Sequence, residues 1–206
     1  MRAILFILTV VTFTNVYAQP LATIPATAAE HSFNLPEDQI NISRLKWLPG
    51  SHDFWVNEKE GIYVYNAANL AAKKMVLTAA QIKAAGLNTK VENIVWSNDR
   101  SRILIYTNSS RVWRVTSKGD YWSFETATGK GYQLGKGLPS SSLQFAKFAA
   151  GNKMVAYVSR HNLYAEDVST GKITQLTTDG TDKIINGTFD WVYEEELSVR
   201  DGFYWS

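Results

Sequence analysis

A run of three glutamates, Glu194-Glu195-Glu196, forms a dense negative segment directly after Trp191 and Tyr193. Adjacent carboxylates repel one another and raise one another's pKa, and a bound cation relieves that repulsion. The α-amino group of a peptide, with a reference pKa of about 7.7–8.0, is a suitable cation. On spacing alone, a solvated acidic turn of helix explains the same residues.

A second segment, Ser109–Ser117, contains Trp113 and two arginines, Arg111 and Arg114. The guanidinium group presents a rigid fork of donors that can hold a carbonyl or a carboxylate. A structural arginine, or one on a solvated face, is the alternative at this stage.

Several other chemistries are excluded or unsupported by composition. The sequence has no cysteine, which excludes disulfides, thiolate catalysis and cysteine-based zinc sites. The three histidines (His31, His52 and His161) have no partner that suggests catalysis, and no Gly-x-Ser-x-Gly elbow is present. The net charge is +2 and the sequence contains no basic stripe, so we expect no nucleic acid partner. Because cysteine and clustered histidines are both absent, we expect no metal ion, and we expect no cofactor.

The N-terminus has the pattern of a secretory signal. Arg2 precedes a mainly apolar run, and Val16-Tyr17-Ala18 fits a small-residue cleavage site. The run is shorter than the roughly 20 residues that cross a bilayer, which disfavours the alternative of an uncleaved anchor. We therefore predict a signal peptide over 1–18, an N-terminal arm over 19–44, and an exported protein, periplasmic or secreted, with no stable membrane anchor after cleavage.

From residue 45 onward the sequence repeats at intervals of about 50 residues. Each unit begins with an aromatic residue, continues with a polar turn and then an apolar strand; the leading aromatics are Trp47, Trp96, Phe148 and Trp205. Later in the second and third units, Thr-Gly-Lys separates two alternating stretches, as in a hairpin turn. Four short strands that recur about every 50 residues are typical of propeller blades. The alternative, a β-sandwich, has no reason to repeat at a fixed interval.

The pattern therefore predicts an all-β chain with an incomplete β-propeller over 45–206, made of three blades and the first strand of a fourth. A helix is predicted over Leu70–Ala85, between the first and second blades, because Thr78 and Gln81 have capping-box spacing. A propeller closes with typically four to eight blades, so we expect a piece of a longer protein that exposes apolar surface.

The two charged segments interrupt this repeat. Ser109–Ser117 lengthens the second blade, and the glutamate run lies in a longer connection after the third. Insertions in repeat proteins map to loops on one face, often the binding face.

Asp190–Glu196 resembles the double-glutamate motif of dipeptidyl peptidase IV and its bacterial relatives in the prolyl oligopeptidase family, and Leu197–Ser206 resembles the bacterial members. The resemblance covers Leu45–Ser206 and implies an eight-bladed propeller with a short helical insertion that carries the glutamates.

The resemblance also implies roles for individual residues. Glu195 and Glu196, the second and third glutamates, would bind the free ammonium group of a peptide substrate. Trp113-Arg114 resembles the segment whose arginine holds a substrate carbonyl, which makes Arg114 the candidate. The following Val115–Ser117 departs from the Arg/His-Ser-Tyr-like run of many relatives, so Arg111 stays open.

The activity implied is that of a serine exopeptidase releasing N-terminal Xaa-Pro or Xaa-Ala dipeptides. Its catalytic triad would come from a C-terminal α/β-hydrolase domain that is absent from this chain, so these residues alone are expected to be inactive. The alternatives are a prolyl tripeptidyl peptidase of the same family and a non-catalytic propeller that binds peptides or proteins. A homodimer is a further implication for the full-length protein.

Overall fold

The computed structural model describes residues 45–206; the predicted signal peptide and N-terminal arm lie outside the described residues. Within this part of the chain, strands follow one another as antiparallel meanders, and no helix is long and apolar enough to cross a membrane.

The strands form one four-stranded sheet and one eight-stranded sheet, and the larger sheet consists of two four-stranded units joined by a short pairing of β7 with β9. These three units correspond to the three predicted blades. The first blade consists of β1 (Lys46–Trp47), β2 (Asp53–Glu58), β3 (Gly61–Asn66) and β4 (Asn69–Thr78). The second consists of β5 (Asn93–Trp96), β6 (Arg102–Val112), β7 (Val115–Glu125) and β8 (Gly131–Gln133). The third consists of β9 (Leu143–Phe148), β10 (Met154–Ser159), β11 (Asn162–Asp167) and β12 (Ile173–Gln175). A helix, α1 (Ala79–Ala84), connects the first and second blades, and a second helix, α2 (Trp191–Leu197), follows the third blade.

The central strands of the second blade, β6 and β7, are buried on both faces where they lie between the other two blades. Alternate residues of a strand point to opposite sides of the sheet. Ile103 and Ile105 accordingly pack with the first blade, in a cluster that includes Trp55, whereas Leu104 between them packs with Tyr157 of the third blade. This arrangement explains why Ile103–Tyr106 of β6 is an uninterrupted apolar run instead of an alternation of apolar and polar residues.

The predicted turns are confirmed. In each blade the polar segment after the leading aromatic closes with a hydrogen bond between residues three apart: Ser51 N to Leu48 O, Arg100 N to Ser97 O, and Asn152 N to Ala149 O. Both Thr-Gly-Lys hairpins place their glycine in the left-handed region, Gly129 at φ +68° and Gly171 at φ +69°.

The helix predicted over Leu70–Ala85 is wrong in its N-terminal half, because residues 69–78 form β4 and pair with β3. Helix propensities differ by only a few tenths of a kcal/mol among these residues, whereas strand pairing gives the backbone amides of the β3 edge their partners. The capping box is confirmed: Gln81 N donates to Thr78 Oγ1 (3.1 Å), and Thr78 N donates to Gln81 Oε1 (2.8 Å).

The strand predicted to begin a fourth blade does not form, since residues 202–206 lie in no strand. This segment packs on the third blade instead. Phe203 joins Ala156 and Val158 in a small apolar cluster, and the Trp205 indole donates to the backbone carbonyl of Lys147 (3.2 Å). A strand needs a neighbouring strand for its backbone groups, and the described residues offer none at this position.

A buried carboxylate connects the second and third blades. Glu166 of β11 is 1% exposed, and its Oε2 accepts hydrogen bonds from Gly135 N (2.9 Å) and from the Tyr157 hydroxyl (2.8 Å). Burial raises the pKa of the Glu166 carboxyl and outweighs the opposing effect of these donors.

We expect the stability of the chain to depend on pH through Glu166. Because its folded-state pKa is raised, the folded chain binds more protons than the unfolded chain above pH ~4.3, so stability falls as the pH rises through the folded pKa. The free energy of unfolding of the wild type, relative to the non-titrating Glu166→Gln variant, should therefore be larger at pH 4 than at pH 8. Urea denaturation at both pH values measures this difference, and a constant difference would contradict it.

Gly171 provides a test of the hairpin geometry. Gly171→Ala should lower the free energy of unfolding by about 1 kcal/mol, because a Cβ at positive φ is strained even though the site is open. Gly151→Ala is the matched control: it also has open space but no positive φ, and should change stability by no more than about 0.5 kcal/mol. Equal losses for the two variants in denaturant titrations would refute the conformational explanation.

Candidate functional site

The segment Ser109–Ser117 forms the tip of a long hairpin that extends beyond the second blade. Arg111 pairs with Thr116, and Val112 pairs with Val115. The two-residue connection places Trp113 at φ +49°, a conformation that is uncommon for a bulky residue and that clusters at functional sites. Arg114 is therefore presented at the end of a rigid β-ribbon.

The third blade supports one side of this hairpin. Lys118 of β7 pairs with Gln144 of β9, and Gly119 pairs with Leu143. The Gln144 side chain also donates to Ser117 Oγ (3.1 Å). These contacts join the hairpin to the third blade, and the glutamate run follows this blade in the sequence.

The glutamate run lies on α2, as the resemblance implied. Asp190 caps the helix by accepting a hydrogen bond from Tyr193 N (3.2 Å), and Ser198 ends it at φ +54°. Successive residues of a helix differ in direction by about 100°. The three carboxylates consequently occupy different environments: Glu194 is buried, Glu195 is half-buried and Glu196 is exposed.

The loop that carries α2 is tied at its base. Thr188 and Asp201 form an isolated β-bridge, and Gly202 N donates to Gly187 O (3.0 Å). Lys147 of β9 holds the same base, because its ammonium group contacts the Asp201 carboxylate and donates to the Phe203 carbonyl (2.6 Å). Its Nζ also lies 3.9 Å from the centroid of the Phe203 ring, which is a cation–π contact.

The hairpin and α2 meet in one ion pair. Arg114 Nη1 lies 2.8 Å from Glu195 Oε2, with the arginine side chain 76% exposed and the glutamate side chain 9% exposed. Of the two arginines left open by the sequence, Arg114 thus contacts the glutamate motif, whereas Arg111 is exposed and has no acidic partner among the described residues. Glu196 is exposed beside the pair.

A second acidic side chain lies beneath this pair. Glu194 Oε2 is 3.8 Å from Arg200 Nε, and Glu194 Oε1 has no hydrogen-bond partner among the described residues. Glu194 and Arg200 line a small cavity together with Trp113, Phe145 and His161. The Arg200 guanidinium largely offsets the charge of a Glu194 carboxylate in this position.

The arrangement is suited to binding a cation next to a hydrogen-bond acceptor group of the same ligand. Glu195 and Glu196 offer carboxylate oxygens, and Arg114 offers a fork of donors. Among the described residues, no group of three or more histidine, aspartate or glutamate side chains is arranged to hold a metal ion.

Sequence reasoning did not identify Lys147 or Arg200 as part of this region. The signal for Lys147 was a lone cation in the mainly apolar strand Leu143–Phe148, since a charged side chain within a buried strand requires a partner. Arg200 gave no such signal, because it lies in a polar loop.

Comparison with known proteins agrees with the resemblance noted above. The family model described as "Dipeptidyl peptidase IV (DPP IV) N-terminal region" matches residues 97–206. A probable dipeptidyl-aminopeptidase B of Podospora anserina is 30% identical over 177 residues, which cover 83% of this chain and 19% of the relative. The protein of the same name from Chaetomium globosum is 36% identical over 111 residues, which cover 53% of this chain and 12% of the relative.

A solved structure with the same architecture is the crystal structure of Porphyromonas gingivalis dipeptidyl peptidase 4. It superposes with a TM-score of 0.66 at 21% sequence identity, over 76% of this chain and 22% of that chain. The superposition shows that the blades correspond to the N-terminal propeller fold. The chain therefore belongs to the dipeptidyl peptidase IV family, and its residues 97–206 lie in the N-terminal region that defines that family.

Proposed function

We propose that this chain is the substrate-gating part of an exported serine exopeptidase that releases N-terminal Xaa-Pro or Xaa-Ala dipeptides. In this proposal Glu195 and Glu196 bind the free ammonium group of the peptide, and Arg114 holds a backbone carbonyl. The observation that supports it most directly is the 2.8 Å contact between Arg114 and Glu195, which unites two segments that each interrupt the blade repeat.

The electrostatics of the pair favour exchange of one cation for another. The Glu195 side chain is largely withdrawn from water, so its carboxylate needs a positive partner. Arg114 supplies that partner but is itself mostly exposed, so it can shift toward a carbonyl when an ammonium group arrives. Hydrogen bonds between charged groups are about twice as strong as neutral ones, which gives the peptide N-terminus a defined position.

Because the peptide N-terminus is fixed, its distance from the scissile bond decides which bond is cleaved. With the ammonium group held, only a scissile bond at a set distance reaches the nucleophile, and a longer N-terminal extension would collide with α2. This is catalysis by positioning, in which the binding of a remote group aligns the reacting bond. The nucleophilic serine and its partners would come from a hydrolase domain, because the chain spans only 19% of the Podospora relative's length.

The glutamates provide the first test. In the full-length protein, Glu195→Gln combined with Glu196→Gln should lower kcat/KM for Ala-Pro and Gly-Pro anilides at least about 100-fold. The glutamine side chains keep the shape of the glutamates but lose the charge that attracts the ammonium group. Glu60→Gln, a substitution in the exposed β2–β3 turn, is the matched control and should leave kcat/KM unchanged. Unaltered hydrolysis by the double variant would sink the proposal.

The substrate provides the second test. Acetylation of the N-terminus removes the cation, so an N-acetylated Ala-Pro anilide should be hydrolysed at least about 100-fold more slowly than the free amine. Comparison of dipeptide with tripeptide anilides separates dipeptidyl from tripeptidyl release. Equal rates for acetylated and free substrates would contradict ammonium binding, and peptide binding without any release would favour the non-catalytic alternative.

A further inference from the structure

We propose that Asp120 is a positioning residue for Arg114: it fixes the direction of the hairpin whose tip carries that arginine. This inference rests on the proposed function, because it assigns Asp120 a role in placing a substrate-binding group. Asp120 belongs to β7 and does not touch Arg114 or the glutamate run; its effect would be transmitted through the backbone of the hairpin.

Asp120 is the centre of a buried polar network at the base of the hairpin. It is only 7% exposed, and its carboxylate accepts three hydrogen bonds. The donors are Asn108 Nδ2 at 2.7 Å, Ser141 N at 2.7 Å and Ser140 Oγ at 3.2 Å. Asn108 lies on β6, whereas the serines lie on the connection between the second and third blades, so the carboxylate joins three segments.

The network lies where the pairing of β6 and β7 breaks. The register shifts between Thr107 and Ser110 and again between Ser110 and Arg111, and Asn108 within this bulge has φ +48°. The bulged backbone is satisfied by Ser141, whose hydroxyl donates to the Asn108 carbonyl (2.8 Å). A bulge bends a strand, and the bonds made inside the bulge set the direction of the bend.

The geometry amplifies small changes at this point. Four residues lead from Asn108 to Val112, the last paired residue of β6 before the turn that carries Arg114, which corresponds to a lever of roughly 13 Å at about 3.3 Å per residue. A rotation of about 10° at the bulge would therefore displace the tip by about 2 Å. The third blade holds the β7 side of the hairpin through Lys118 and Gly119, whereas the Asp120 network holds the β6 side.

The Asp120–Asn108 pair allows a test by exchange of partners. Asp120→Asn sets two amide groups against each other, and Asn108→Asp sets two carboxylates against each other. In the natural-length enzyme, each single variant should raise KM for an Ala-Pro anilide about tenfold, with kcat changed less than about threefold, because binding-group placement is lost. The combined variant restores an amide donor facing a carboxylate, and should recover most of the loss.

A double-mutant cycle of Asp120 with Arg114 distinguishes positioning of Arg114 from general stabilisation of the fold. Arg114→Ala should itself raise KM at least about tenfold, and Asp120→Asn should add nothing to KM in that background, because the residue it positions is gone. Asp167→Asn is the matched control: Asp167 also accepts several hydrogen bonds in a hairpin turn, but far from the site, and KM should not change. If Asp120→Asn reduces the folded yield, Ser141→Ala, which removes the hydroxyl contacts with the Asn108 carbonyl and with Ser110 Oγ, enters the same cycle.

The outcomes separate the two proposals. If Arg114→Ala leaves KM unchanged, the proposed role of Arg114 fails, and with it the reason for positioning it. If Arg114→Ala raises KM but the Asp120 variants do not, or if their effects add fully to that of Arg114→Ala, the inference about Asp120 is overturned while the proposed function stands.

Discussion

The structure depends on a second blade whose central strands are buried on both faces. Because neighbouring residues of a strand point to opposite sides, Ile103 and Ile105 belong to one interface and Leu104 to the other. A slip of one residue would exchange the two sets and spoil both interfaces at once. This requirement fixes the register of the second blade, and through it the place where the β6–β7 hairpin leaves the sheet.

The charged groups lie where the chain departs from this repeat. The blades supply rigid, apolar stacks, and the two interruptions supply a β-ribbon with Arg114 at its tip and a short helix with Glu195 on its side. Binding groups on loops that a rigid scaffold supports are a general arrangement. Here each loop is also tied to the third blade, through Gln144 for the hairpin and through Lys147 for the helical loop.

Much of the architecture followed from local sequence signals. Turn glycines such as Gly129 and Gly171 are visible because few other residues accept their conformation, and the blade period is visible because each unit repeats the same turns. The strand β4 was missed, since its alanines and lysines favour helix until an adjacent edge strand is available. Local propensity cannot describe such a partner.

The candidate residues could be singled out from the sequence, but their contacts could not. The glutamates and the two arginines were distinguishable from the repeat, yet the choice of Arg114 as the partner of Glu195 depends on how the hairpin folds back over the third blade. The network around Asp120 gave no sequence signal, because its three donors come from two other segments, and two of these donors belong to serines of an ordinary-looking connection.

The separate environments of the three consecutive glutamates have a consequence for how this motif can change over time. Each carboxylate has its environment because of its angular position on α2, so replacing one residue alters one environment only. Inserting or deleting a single residue ahead of Glu194 would rotate the whole run by about 100° and reassign every carboxylate together. The spacing between Asp190 and the glutamates should therefore tolerate changes in length far less readily than changes in side chain.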